Sequence, residues 1–125
     1  MLRALAMATV VLAASTGWAM AQDAAAGEKV FVKCKTCHEV GAGAKAKIGP
    51  PLTGIVGRQA ASFEGFAYSE SFKKKAAEIG TWDEAKLSEW LADPAKYAGG
   101  TVKMVFKLPN EAERKNVIAY LATKK

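Results

Sequence analysis

Histidine occurs once in this 125-residue chain and cysteine twice. Beyond residue 20, methionine occurs once, at Met104. These shortages exclude a good deal. A closed structural zinc site wants four Cys/His ligands, and only Cys34, Cys37 and His38 exist, bunched within five residues. Two cysteines permit one disulfide at most, not a disulfide framework. Alternating strand patterns are almost absent, so a Cys-x-x-Cys pair here lacks the βαβ context of a thioredoxin-like redox site. No basic helix interleaved with aromatics and no nucleic-acid motif appears, which argues against nucleic acid as a partner. No internal repeat, low-complexity tract or second domain is visible.

What is present is concentrated in Cys34-Lys35-Thr36-Cys37-His38. Two thiols separated by two residues and followed at once by an imidazole are the arrangement of covalent c-type haem attachment. Each cysteine forms a thioether to one haem vinyl group, and His38 is the axial ligand of the iron. A plain disulfide in an exported protein is the competing reading. If haem is bound, no second imidazole is available for the opposite face of the iron. Met104 is the remaining soft donor. A lone methionine is ordinarily core filler, but this one lies in a glycine-flanked extended segment, so it is expected as the sixth ligand. His/Met ligation raises the reduction potential relative to a bis-imidazole site. With both axial positions held by the protein, electron transfer is expected rather than catalysis, and no catalytic residue is assigned.

Residues 1–21 read as an export signal: Arg3 as the positive region, an apolar stretch from Ala4 to Ala14, and Ala19-Met20-Ala21 as a small-x-small cleavage site before Gln22. An uncleaved anchor is the alternative, although the run is at the short limit for a span. Residues 22–125 are expected to form one domain. Of the 18 basic side chains, Arg3 leaves with the signal; 17 set against 12 acidic ones leave a net charge of +5. Two haem propionates would lower that. A basic surface suits an acidic partner.

The helical pattern predicts an all-α fold. Asp23 caps a helix over 24–36, with Val30, Phe31 and Cys34 facing inward and Gly27 marking a close approach by another helix. A glycine- and proline-rich loop follows over 39–62 and is expected to wrap the histidine side of the haem. A short helix is predicted over 70–77. Thr81-Trp82-Asp83-Glu84 reads as a capping box for a helix to Ala92 with Leu87, Trp90 and Leu91 inward. A proline-started turn at Pro94, an extended segment over 101–108, and a last helix over 111–123 capped by Asn110 complete the chain.

Taken in order, Cys34-x-x-Cys37-His38, Ile48-Gly49-Pro50-Pro51-Leu52, Gly57-Arg58, Gly65-Phe66-Ala67-Tyr68, Thr81-Trp82, Lys103-Met104-Val105-Phe106 and Ile118-Ala119-Tyr120-Leu121 resemble a class I cytochrome c. The lengthened segment between Tyr68 and Trp82 is most similar to that of the bacterial cytochromes c2. The resemblance implies four to five short helices and long loops wrapped around one covalently bound haem. It implies that the Pro50 carbonyl accepts the His38 Nδ1–H, and that Arg58, Tyr68 and Trp82 hydrogen-bond around a buried propionate. It places Thr101 close to the haem and methionine, and Phe106 over the exposed haem edge. Two departures stand out: Trp90 where mitochondrial relatives carry a tyrosine, and Val102 as an extra residue before Lys103. The implied role is a periplasmic carrier that shuttles single electrons, a monomer that is not membrane-embedded. Its implied donor is a quinol–cytochrome c oxidoreductase of the bc1 type, and its acceptor a photosynthetic reaction centre or terminal oxidase. Lys33, Lys35, Lys47, Lys96, Lys103 and Lys107 are the expected steering cations. The alternatives are a haem protein that binds a small ligand once Met104 leaves, and a dedicated acceptor for a periplasmic dehydrogenase.

Overall fold

The computed structural model describes residues 23–125; the expected export signal and its cleavage site before Gln22 lie outside the described residues. Five helices follow in order: α1 (Ala24–Phe31), α2 (Glu70–Ile79), α3 (Glu84–Ala92), α4 (Pro94–Ala98) and α5 (Glu111–Ala122). Among the described residues there is no strand, only an isolated antiparallel bridge between Gln59 and Thr81. None of the described helices is long and apolar enough to cross a membrane.

Side-chain caps explain where the helices start. Asp23 accepts from the amides of Ala25 and Ala26 at the head of α1, and Asn110 accepts from Glu113 at the head of α5. The cap of α3 corrects the sequence expectation. Asp83, not Thr81, accepts the Lys86 amide, because Thr81 is held instead in the bridge to Gln59. Helix α1 is also shorter than predicted. It ends at Phe31, and residues 32–37 continue as turns that carry the cysteines. Pro94 opens α4, and Gly99 closes it with φ of 74°, the left-handed geometry that glycine adopts without strain.

The fold closes by docking α1 on α5. A Cβ on Gly27 would lie 1.9 Å from the Asn116 carbonyl oxygen, so only glycine lets the backbones meet this closely. Phe31 stacks obliquely on Tyr120 with ring centroids 5.4 Å apart. Phe31 and Val117 are each 1% exposed, and burying side chains of this size stabilises by about 1.5–3 kcal/mol apiece. Helix α3 packs on α5 as well, and α4 on α3 and α2. The helices thus form a wall on one side of a cleft, and the long loop over 38–69 forms the other.

Candidate haem site

The cleft is lined by residues from every part of the described chain. Cys34, Cys37 and His38 enter from the turns after α1. Ile48, Gly49, Pro50, Leu52, Ile55 and Arg58 come from the long loop. Phe66, Tyr68 and Phe72 lead into α2. Trp82, Leu87, Trp90 and Leu91 come from α3 and its approach, Val102 to Phe106 from the segment before α5, and Val117 and Leu121 from α5. Apolar side chains dominate these walls. Such a surface is stable only if something apolar of matching shape covers it.

His38 is held from two sides. Its Nδ1 donates to the Pro50 carbonyl at 2.7 Å. Gly49 lies against the ring, where an added Cβ would come within 2.4 Å of Cε1. The Gly49 amide donates to the Cys37 carbonyl at 2.8 Å, and Leu52 donates to Glu39 at 2.9 Å. Burial, aided by the positive charges of Arg58 and Lys47, moves the imidazole pKa below its ordinary value, against the opposing pull of the Pro50 carbonyl. The ring is therefore neutral. With the proton on Nδ1, the Nε2 lone pair is left to a metal. Burial, reinforced by neighbouring Cys37, pushes the Cys34 thiol up to about 11. Both cysteines are free of any disulfide.

Arg58 carries a second signal. Its Nη1 donates to the carbonyls of Pro51 at 2.9 Å and Thr53 at 3.1 Å. Its Nε is buried and has no partner among the described residues. Burial moves its pKa below the ordinary value. An unpartnered buried donor on a cleft wall fits an anionic group on the ligand. The Tyr68 hydroxyl accepts from the Phe63 amide at 3.2 Å. Trp82 is 4% exposed and stacks near Phe72 with centroids 6.3 Å apart.

Met104 and Phe106 line the cleft and pack against the core. Thr101 is exposed and lines an adjoining depression together with Met104, Val102 and Pro94. The inserted Val102 is buried and lines the cleft itself.

Several cleft features are absent from the sequence expectations. Ala61 lines the cleft with φ of 57°, a conformation that costs a non-glycine residue roughly 1 kcal/mol or more. Ile48 and Val105 stand on the rim, 66% and 89% exposed, with no periodicity to announce them. The expected steering lysines divide into two sets. Lys33 pairs with Glu113 at 3.4 Å, Lys107 pairs with Asp93 at 3.3 Å, Lys47 donates to the Lys35 carbonyl at 2.8 Å, and Lys103 is engaged by Phe66 and Ala67. The ammonium groups of Lys35 and Lys96 carry no such tie among the described residues.

A neutral imidazole with its outer nitrogen anchored, two free thiols beside it, an apolar cleft and an orphaned guanidinium nitrogen together fit a covalently attached haem c. Comparisons with known proteins agree. The family model described as Cytochrome c matches residues 24–125. Cytochrome c2 of Rhodoblastus acidophilus is 50% identical over 103 residues, covering 82% of this chain and 92% of that protein. Cytochrome c-554 of Methylosinus trichosporium is 49% identical over 117 residues, covering 92% and 86%. The solved structure of cytochrome c2 from Rhodospirillum centenum superposes with a TM-score of 0.78 at 41% identity, covering 82% of this chain and 98% of that one.

Proposed function

The chain belongs to the cytochrome c family, and on that premise we propose that it is a periplasmic one-electron carrier with His38 and Met104 as the axial ligands of its haem. Members of this family carry electrons rather than catalyse reactions. The observation that carries the finer reading is the meeting of Cys34, Cys37, His38 and Met104 on the walls of one apolar cleft. Cys34 and Cys37 would hold the haem through thioethers. Arg58, Tyr68 and Trp82 would surround a propionate, Pro50 would hold the His38 tautomer, and Phe106 would cover an edge. Thr101, which lines a depression together with Met104, would lie near the methionine.

Bound there, the haem supplies a ferric/ferrous couple. The protein's part would be to keep that couple dry and addressable from outside. Leu87, Leu91, Val117 and Leu121 line the cleft and would exclude water. The His38 imidazole, anchored on Pro50, would be held in a single orientation for the metal. A Met104 thioether would favour the reduced state and raise the potential. Ile48 and Val105 present an apolar patch at the mouth, and the lysines around it draw in an acidic partner at a rate that falls with salt. The partners proposed are a bc1-type complex as donor and a photosynthetic reaction centre or a terminal oxidase as acceptor. The relatives named cytochrome c2 support that class of exchange.

Absorption spectra of the purified holoprotein in both redox states test the ligand assignment. A near-infrared band in the ferric form, given by sulfur bound to iron, is expected, together with no rapid binding of carbon monoxide by the ferrous form. Absence of that band, or rapid carbon monoxide binding at neutral pH, overturns it.

A further inference from the structure

We infer that residues 104–107 form a docking edge, to which an extended acidic segment of a redox partner adds as a second strand. The inference rests on the proposed approach of an acidic partner to the mouth of the cleft. The backbone bends at Lys103 and then runs without helix, turn or bend as far as Asn110. Exposure alternates along this run. Met104 and Phe106 are half-buried and Leu108 is buried, whereas Val105 and Lys107 are exposed. A period of two is that of a strand, and valine and phenylalanine are residues that strands favour. Yet among the described residues no backbone N–H or C=O of residues 104–107 takes part in a hydrogen bond. The run has the pattern of a paired strand and lacks the pair.

Its two edges are not equivalent. In a strand, the N–H and C=O of one residue point to one edge, and those of the next residue to the other. Leu108 donates to the Leu91 carbonyl at 2.8 Å, which turns the edge of residues 104, 106 and 108 towards α3. The backbone groups of Val105 and Lys107 belong to the other edge. A depression borders both of these residues and is shared with Pro94 and Ala95 of α4, so there is room beside them. The surroundings are basic. From residue 93 to residue 107, Lys96, Lys103 and Lys107 stand against Asp93 alone, three charges minus one, or +2. Val105, 89% exposed, stands between two of those lysines. An unpaired edge is a template for another chain. The lysines repel a second copy of this protein and select an acidic segment, and backbone pairing asks of that segment only that it be extended.

The test uses ferrous holoprotein labelled with nitrogen-15 and a peptide in which two glutamates flank a valine, acetyl-Thr-Glu-Thr-Val-Thr-Glu-Thr-amide. Amide exchange is read residue by residue. With the peptide bound, the amides of Val105 and Lys107 are expected to exchange at least about fivefold more slowly, and those of Met104 and Phe106 at an unchanged rate. Two further peptides carry N-methyl groups on alternate backbone nitrogens, in the two possible phases, and keep the charge. One phase is expected to bind roughly tenfold more weakly than the parent, because it loses the pairing donors, and the other to stay within about twofold. Equal binding by the two methylated peptides assigns the attraction to charge alone and overturns the inference. Protection spread evenly over residues 104–107, or no protection at millimolar peptide, also overturns it. Failure of the underlying docking reading shows differently, as a rate with a redox partner that stays flat as salt is raised.

Discussion

The stretches of the cleft lining that carry His38 and Met104 are built in opposite ways. His38 is clamped: its Nδ1 is bonded to Pro50, its ring is backed by Gly49, and the loop behind it is stitched to residues 37 and 39 by backbone hydrogen bonds. Met104 hangs from a stretch whose backbone makes no hydrogen bond among the described residues. Positional constraint is thus concentrated beside the Cys-x-x-Cys-His motif, and Met104 is held by side chains and by whatever fills the cleft. On the proposed ligation, one ligand would belong to the fold and the other would have an adjustable hold.

The comparison breaks most sharply at Gly49. Gly49→Ala places a methyl group 2.4 Å from His38 Cε1, against a ring that the Pro50 bond holds in place. A loss of about 3 kcal/mol or more is expected, at the upper end of overpacking effects, together with a collapse in holoprotein yield. An unchanged denaturation midpoint would show that the clamp is loose. Amide hydrogen exchange sharpens the same contrast without mutation. The amides of Gly49 and Leu52 should exchange at least about a hundredfold more slowly than those of residues 102–106. Equal rates would erase the asymmetry.

Met104→Ala should act on potential more than on folding. The midpoint is expected to fall by on the order of 0.1 V, a fraction of the ~0.8 V range that axial ligands span, while the helical circular dichroism is kept. A retained potential would remove Met104 from the iron. Lys35→Glu probes the rim. Its rate with an acidic redox partner should drop roughly two- to fivefold at low ionic strength and converge with that of the unvaried protein at high salt. The smallest effect is expected at Asp93. The Lys96 amide first, then Lys107, hold its carboxyl below the ordinary carboxylate range. The stabilisation is therefore present above the unfolded pKa of about 4 and is lost as pH falls through the lower folded value. The thermal midpoints of Asp93→Asn and the unvaried protein should differ at neutral pH and approach one another below pH of about 4; a constant gap would contradict this.

Much of this was legible in the residues because the signals are local. The Cys34–His38 spacing, the caps at Asp23 and Asn110, and Pro94 at the first turn of α4 each rest on contacts a few residues long. Gly27 announced a close helix contact through its cost in mid-helix, and Asn116 proved to be the surface it meets. What failed to show were features set by distant partners. Thr81 has the chemistry of a cap, but its pairing with Gln59 removed it from that role. Next to Met104, Val102 is buried while Thr101 is exposed, and no spacing rule reports which of two adjacent residues a loop will bury. The left-handed Ala61 and the exposed Val105 are likewise decided by tertiary context.

The meeting of the first and last helices has a temporal consequence. The bond from the Asp23 amide to the Asn116 side chain spans 93 positions, and contacts so far apart form slowly because the intervening chain must first be brought round. Helix α1 consequently lacks its partner until the twelve residues of α5 have arrived. Throughout that interval the turn carrying Cys34 and Cys37 is still open, and the thiols stay within reach of the chemistry that attaches them.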